Sequence, residues 1–316
     1  MFTSLNFTNF RGFERLGLNG LKRVNLVVGR NNAGKTSLLE GITILSDPAQ
    51  FGHLPKMFRP QSGDAGKRYF RWLFRDQDSL QSATLIGGGD DFESRVSFRQ
   101  NTSPQQPPTP GMQAMGQGGT GTLWRIPTER QFKSRVVPVH HHSPEQLVKL
   151  FAAAVKRKGG EERIEELLRE VDSRIRKVRV EPADDGNHLL VDLGLSEMLP
   201  VSQVGQGIYR LIAIFSELIG EKPDMCIIDE IENGIHHSML EQIWTGLAAA
   251  AETLGVQVFA TTHSQECIEA AHAAFSKREA YDFSIVQLFR VEGAVQGRVL
   301  DQEHIAAAMA GEIDLR

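Results

Sequence analysis

The sequence predicts an α/β fold built on a largely parallel sheet, on three observations. In the last third of the chain short apolar runs alternate with longer amphipathic ones: "DMCIIDE", "HHSMLEQIWTGLAAAAETLG", "VQVFATTH", "SQECIEAAHAAFSK". Strand–helix alternation at this spacing makes parallel sheets with helices on both faces. Near the amino end, "VNLVVGRNNAGKTSLLEGI" reads as a buried strand, a glycine-bearing turn and a helix. Finally, 316 residues, 41% of them hydrophobic and 23% charged, suffice for two average domains or one large α/β domain with an insertion.

Taken in order, "FTSLNFTNF" alternates as a strand and "FRGFERLGLNGL" carries turn glycines. The helix after "GKT" runs through Leu38, Leu39, Ile42 and Leu45 and ends near Asp47-Pro48. "SATLIGGGDDFESRVSFRQ" predicts a β-hairpin turning at residues 87–91, and the low-complexity residues 101–122 predict a mobile loop. Ser143, Pro144 and Gln146 form a helix-start signature, with Leu147, Leu150, Phe151 and Ala154 as the apolar stripe and Gly159 as the stop. A second helix places Ile164, Leu167, Leu168 and Val171 on one face, and strands follow at 177–181 and 188–193. "GIYRLIAIFSELI" is a strongly apolar helix, and "FSIVQLFRV" with "GRVLD" closes the chain as a hairpin. No period of 20–50 residues repeats, which excludes a solenoid.

Chemistry concentrates at three strand ends. Gly29, Gly34, Lys35 and Thr36 fit G-x-x-x-x-G-K-[ST], the Walker A pattern. Small residues let backbone N–H groups converge on phosphate oxygens, and the helix that follows aims its positive end at the same anion. Lys35 reaches the β- and γ-phosphates and Thr36 offers a hydroxyl to Mg²⁺, so the pattern predicts a nucleoside triphosphate site. The apolar strand Met225–Ile228 ends in Asp229-Glu230, a Walker B arrangement: Asp229 suits Mg²⁺ and Glu230 suits the attacking water. "VQVFATTHS" brings His263 to another strand end on the same edge, where an imidazole can bond the γ-phosphate or hold that water.

The bulk properties narrow the setting. No run approaches a membrane span, and "MFTSLNFTNF" is no signal peptide. The two cysteines, Cys226 and Cys267, have no metal-ligand spacing, which points to a reduced, cytoplasmic interior. Net charge is −4, yet residues 46–180 hold 22 Lys and Arg against 15 Asp and Glu while the rest holds 13 against 24. A basic middle can serve an anionic partner such as DNA, or be no more than solvated helix faces. "KRYFRWLFR" mixes basic and aromatic residues in the same sense, whereas "HHH" at 140–142 reads as an exposed patch, since three adjacent histidines on a strand cannot face one ion.

The order of "NFRGF…VNLVVGRNNAGKTSLLEGI", "VGQGIYRLIAI", "DEIENGIHHSMLEQIW" and "VFATTHSQECI" resembles the ABC-type ATPase superfamily. More narrowly it is similar to the AAA-15/AAA-21 group of OLD-type ATPases, relatives of the RecF and SMC heads. The resemblance covers residues 1–45 and 187–300, more weakly 143–180. It implies a P-loop NTPase of α/β class: an ABC-ATPase head with a mixed sheet from 1–45 and 181–316, and an inserted, partly helical basic subdomain at 46–180. It also implies that Gly29, Arg30, Asn31, Asn32, Ala33, Gly34, Lys35, Thr36 and Ser37 hold ATP, with Thr36 and Asp229 on Mg²⁺, Glu230 as catalytic carboxylate and His263 as switch histidine. Glu232-Asn233-Gly234 corresponds to the D-loop.

"SQVGQGIYR" corresponds to the signature, in which Gly205 and Gly207 would meet ATP held by a second copy in a sandwiched homodimer or higher oligomer. That signature departs from L-S-G-G-Q, with Ser202 one residue early and Val204 in place of a glycine. For the Q-loop glutamine, Gln77 and Gln81 in "FRDQDSLQ" are candidates. The chain stops where the resemblance expects the head to be complete, without the carboxylate-rich Toprim domain of OLD nucleases. The expectation is therefore a separately encoded effector, a nuclease or toxin, in defence against phage; the alternative is RecF-like DNA maintenance.

Overall fold

The computed structural model describes residues 1–58, 71–78, 81–100, 113–118, 121–125, 132–137, 143–184, 186–311 and 313–316. Strands are β1 (Ser4–Phe10), β2 (Phe13–Asn19), β3 (Val24–Val28), β4 (Ala83–Gly88), β5 (Glu93–Gln100), β6 (Gln113–Gly118), β7 (Gly121–Arg125), β8 (Ser134–Val137), β9 (Lys177–Ala183), β10 (Gly186–Asp192), β11 (Leu199–Pro200), β12 (Met225–Ile228), β13 (Gln257–Thr261), β14 (Phe283–Val291) and β15 (Ala294–Leu300). The longer helices are α1 (Lys35–Ser46), α2 (Pro144–Val155), α3 (Gly160–Val171), α4 (Gln206–Glu221), α5 (Leu240–Leu254), α6 (Gln265–Ser276) and α7 (Gln302–Ala310).

A core sheet runs in the order β15-β14-β3-β13-β12-β8. Its strands β14, β3, β13, β12 and β8 are parallel, and only β15 is antiparallel. Every residue of β3, β12 and β13 is buried, as a strand covered on both faces requires. The side-chain alternation divides two cores. Val24, Leu26, Cys226, Ile228, Val258 and Ala260 face one that α2–α7 complete. Val27, Met225, Ile227, Phe259 and Val286 face the other, where α1 and a second sheet, β2-β1-β4-β5-β7-β6, close the sandwich. That second sheet is antiparallel throughout. Contact there is close: a Cβ at Gly41 of α1 would lie 2.4 Å from the Phe7 ring of β1.

One polar residue sits inside β3. Asn25 is fully buried and satisfied: its amide donates to the Lys22 and Val258 carbonyls, and its oxygen accepts from Lys22 N–H and Ser284 Oγ. Gln257 does similar work at the start of β13, bonding Phe2 N–H and the Phe2 and Lys22 carbonyls. Both hold the β1 and β3 starts in register with the core sheet.

Strands β4–β7 extend the antiparallel sheet that β1 and β2 begin, β8 adds an edge to the core sheet, and α2 and α3 pack on α4 and α5. Within 101–122, expected as a loop, Gln113–Gly118 and Gly121–Arg125 instead pair as a hairpin; glycine and glutamine still satisfy a ladder whose bonds are all backbone. The capping box at Ser143 and Gln146 forms as expected. Gly159, expected as a helix stop, is the left-handed start of α3 at φ 73°. "FRGFERLGLNGL", with its turn glycines, holds the β1–β2 turn and β2, and α7 follows the closing hairpin without having been anticipated. Residues 140–142 and 67–70 lie outside the described residues.

Candidate nucleotide site

The carboxyl ends of β3, β12 and β13 sit side by side, and each delivers one piece of the site. From β3 the chain turns at Gly29, whose φ is 146°; a Cβ there would lie 2.4 Å from the Leu288 carbonyl oxygen. Only glycine fits so close an approach. The loop closes with Ala33 N–H donating to Arg30 O, and Arg290 of β14 braces it by donating to Asn32 O at 3.2 Å. Gly34, at φ 99°, starts α1, so Lys35, Thr36 and Ser37 form the helix's first turn with Lys35 and Ser37 buried.

Lys35 folds back on its own loop. Its Nζ donates to Gly29 O at 2.6 Å and Arg30 O at 3.3 Å, and lies 3.2 Å from His263 Nδ1. Burial lowers its pKa, against the pull of Asp229, Glu230 and Glu232. An ammonium has no lone pair, so Nδ1 must be the acceptor and the His263 proton belongs on Nε2. That atom lies 3.6 Å from Glu230 Oε1. Lysine, histidine and catalytic-carboxylate candidate thus form one chain of contacts across three strand ends.

Asp229 and Glu230 are held by groups the sequence did not single out. Thr261, the last residue of β13, donates Oγ1–H to Asp229 Oδ1 at 2.6 Å and accepts from Glu230 N–H at 2.8 Å. Arg210 of α4 reaches the same turn, donating through Nη2 to the Asp229 and Glu230 carbonyls at 2.9 Å each. Burial lowers its pKa, opposed by Glu232, Asp229 and Glu230. Glu230 itself has φ 47°, a left-handed conformation costing a non-glycine residue about 1–2 kcal/mol. Glu232 accepts from His263 N–H at 2.7 Å, so the D-loop candidate fixes the histidine's backbone. An arginine within the apolar "GIYRLIAIF" was the one visible signal for Arg210; Thr261 left none.

A cleft of about 520 Å³ opens over these groups, lined by Gly29, Arg30, Asn31, Glu230, His263, Asp314 and Arg316. Asp314 and Arg316, from the segment beyond α7, carry no motif. A larger cleft of about 690 Å³ lies at the opposite end of the strands, where its arginines are paired, Arg23 with Asp282 and Arg278 with Glu252. The signature candidates Gly205 and Gly207 lie at the start of α4, Gly205 exposed and Gly207 half-buried, and do not line the cleft at the phosphate loop. Gln77 and Gln81 are exposed and do not line it either.

The donor set fits a nucleotide-borne Mg²⁺. Among the described residues no group of three His, Cys, Asp or Glu side chains could hold a metal alone. A magnesium ion bound mostly through phosphates and water needs only one or two protein oxygens, and Thr36 and Asp229 supply hard oxygen donors. Both cysteines are buried; burial pushes the Cys267 thiol up to about 12, which removes it from metal or nucleophilic chemistry at neutral pH.

The sequence pattern of the AAA_21 family, described as "AAA domain, putative AbiEii toxin, Type IV TA system", matches residues 24–103 and 120–269. The chain belongs to this family. The match takes in the phosphate loop, Asp229-Glu230 and His263. Among curated proteins the chain is similar to an "ATP/GTP phosphatase" of Helicobacter pylori, 21% identical over 85% of this chain and 87% of that one. It also resembles the DNA replication and repair protein RecF of Idiomarina loihiensis, 31% identical over 33% of this chain and 24% of that protein. Among solved structures it is similar to an SMC head bound to the C-winged helix domain of ScpA, with TM-score 0.61, 11% identity and 98% and 99% of the two chains covered. The SMC head domain from Thermotoga maritima follows at TM-score 0.54 and 12% identity, covering 95% and 98%. The fold is that of an SMC-head or ABC-type ATPase, with a mixed core sheet. Among the described residues no helix is long and apolar enough to cross a membrane.

Proposed function

We propose that this family member binds and hydrolyses ATP with Mg²⁺. The convergence of Lys35, Asp229, Glu230 and His263 on one sheet edge carries the reading. Lys35 exchanges the Gly29 and Arg30 carbonyls for β- and γ-phosphate oxygens, and backbone N–H groups of residues 29–37 cradle the rest. Thr36 and Asp229 would hold the ion, which would supply neutralisation of developing charge. Glu230 orients the attacking water and accepts its proton; His263, with its proton on Nε2, faces the same water and phosphate. Residues 1–45 and 181–316 supply this site, with 46–180 as an elaboration of the head.

Gly205 and Gly207 begin a helix whose free N–H groups suit a phosphate held by a second copy, so ATP would be shared across a homodimer that parts after hydrolysis. The switch would act in the cytoplasm and control a separately encoded nuclease or toxin in anti-phage defence; the family's description, which names a putative AbiEii toxin and a type IV TA system, supports a place in a two-part system of this kind. The RecF match and the basic 46–180 stretch favour a second reading, DNA maintenance, which predicts DNA affinity falling steeply with salt.

The test is an ATPase assay with sizing. Wild type should turn over ATP, Lys35→Ala should lose both turnover and ATP affinity, and Glu230→Gln should bind ATP and accumulate as a dimer. Turnover by Glu230→Gln at the wild-type rate would overturn the assignment. A Lys35→Ala and Gly207→Asp mixture should recover partial activity from one intact shared site; none, with subunit exchange demonstrated, would remove the shared site.

A further inference from the structure

Residues 313–316 return to the phosphate loop from beyond α7, and the return is anchored. Leu315 is 1% exposed, packed in the helical core. Its carbonyl accepts a 2.9 Å hydrogen bond from Nε2 of the buried Gln287. Gln287 sits in register with Val28, the residue before Gly29, so the anchor lies one residue from the start of the phosphate loop. Ile313 N–H donates to Ala308 O at 2.9 Å, tying the segment back to α7. With Leu315 pinned inward, Asp314 and Arg316 line the cleft together with Glu230 and His263.

Arg316 holds Asp314 with two prongs, Nε to Oδ1 at 3.0 Å and Nη2 to Oδ2 at 3.1 Å. The pair is solvated, its side chains 44% and 59% exposed, and a solvated pair contributes little net energy. It can therefore be exchanged at small cost. The entering ligand is polyanionic, and a planar guanidinium binds phosphate oxygens with the same fork it offers a carboxylate. Glu230 and His263, which line the same cleft, act at the terminal phosphate on the reading above, so an arginine in that cleft is directed to that phosphate rather than to the base.

We propose that Arg316 is a nucleotide-binding residue that leaves Asp314 for the terminal phosphate of ATP, so that the 313–316 segment discriminates tri- from diphosphate. This rests on the nucleotide-site reading above. It makes the segment, and not only the loop and strand ends, part of the ATP state. Departure of the terminal phosphate returns Arg316 to Asp314 and removes the guanidinium from the mouth of the site.

The experiment is calorimetric titration of the full chain with Mg-ATP and Mg-ADP. Arg316→Gln should weaken ATP about tenfold, the scale of one charge-assisted hydrogen bond, and leave ADP within about twofold and the melting temperature unchanged. Asp314→Asn, which frees the guanidinium, should tighten ATP several-fold and leave ADP as it was. Equal losses of ATP and ADP in Arg316→Gln, or no loss of either, would overturn the proposal while leaving the nucleotide site intact. Should Arg316→Gln fail to fold, an unchanged ATP affinity in Asp314→Asn overturns it alone. Wild type binding neither nucleotide would instead refute the site itself.

Discussion

The two faces of the core sheet are built from different kinds of sequence information. On the helical face α3–α6 each read as an element from their own residues: Ile164, Leu167, Leu168 and Val171 are all buried on one side of α3, and Ile243, Trp244, Leu247 and Ala251 on one side of α5. On the other face the antiparallel sheet joins β1 to β4, whose partners, such as Phe7 and Leu85, lie far apart in the chain. Periodicity identifies a strand but not its neighbour, so this face could not be assembled from local pattern. The difference extends to charge. The antiparallel face buries an ion pair, Arg11 of the β1–β2 turn with Glu40 of α1, at 2.9 Å. At the margin of the helical face, by contrast, a solvated cluster forms where Lys133 and Arg135, beside and in β8, meet Glu221 at the end of α4.

The largest stability effect should therefore fall on the antiparallel face. Glu40 is fully buried, and Arg11→Met removes the guanidinium from beside its carboxylate. An uncompensated buried charge costs about 3–5 kcal/mol, expected as a shift of the urea midpoint. Arg11→Met with Glu40→Leu should recover part of that loss, because the charge to be desolvated is gone. A single variant within about 0.5 kcal/mol of wild type would mean the pair contributes no more than a surface bridge.

A smaller effect belongs at the junction between the two faces. Thr261→Val keeps the shape of the β13 end but removes the hydroxyl joining Asp229 Oδ1 to Glu230 N–H. One buried and one part-buried group lose their partner, at about 1–3 kcal/mol by denaturant unfolding. Turnover should fall as well, since the left-handed turn at Glu230 loses one of its braces, while Thr261→Ser should behave nearly as wild type. Normal turnover in Thr261→Val would show that Arg210 alone fixes Glu230.

These residues mark how far the site was legible in the sequence. The groups proposed to face phosphate, Gly29 to Ser37, Asp229, Glu230 and His263, stand in motifs because phosphate chemistry dictates both the type and the spacing of such residues. Thr261 and Arg210 do no chemistry of their own; they position a backbone turn from another strand and another helix, and that geometry exists only after folding. Asp314 and Arg316 come from a segment with no pattern, placed by one buried leucine and one glutamine. The middle of the chain was hardest for the same reason: β4–β8 are strands whose meaning depends on sheets begun elsewhere.

The smallest effect should appear at the exposed margin of the helical face. Glu221 accepts from Lys133 Nζ at 2.8 Å and Arg135 Nη2 at 2.5 Å, and those hydrogen bonds hold its pKa down to about 2. A depressed carboxylate contributes stability above its unfolded pKa, near 4.5, and loses it as pH falls toward 2. Solvent reaches all three side chains, so the contribution at neutral pH stays below about 1 kcal/mol. Glu221→Gln should then differ slightly from wild type at pH 7, and the two urea curves should converge between about pH 4.5 and 2. Arg11→Met should not converge with wild type in this way at pH 7 or in high salt, because its charge imbalance is buried and salt screens buried charges much less. If 0.5 M salt removed the Arg11→Met deficit as readily as that of Glu221→Gln, the contrast between the buried pair and the solvated cluster would fail.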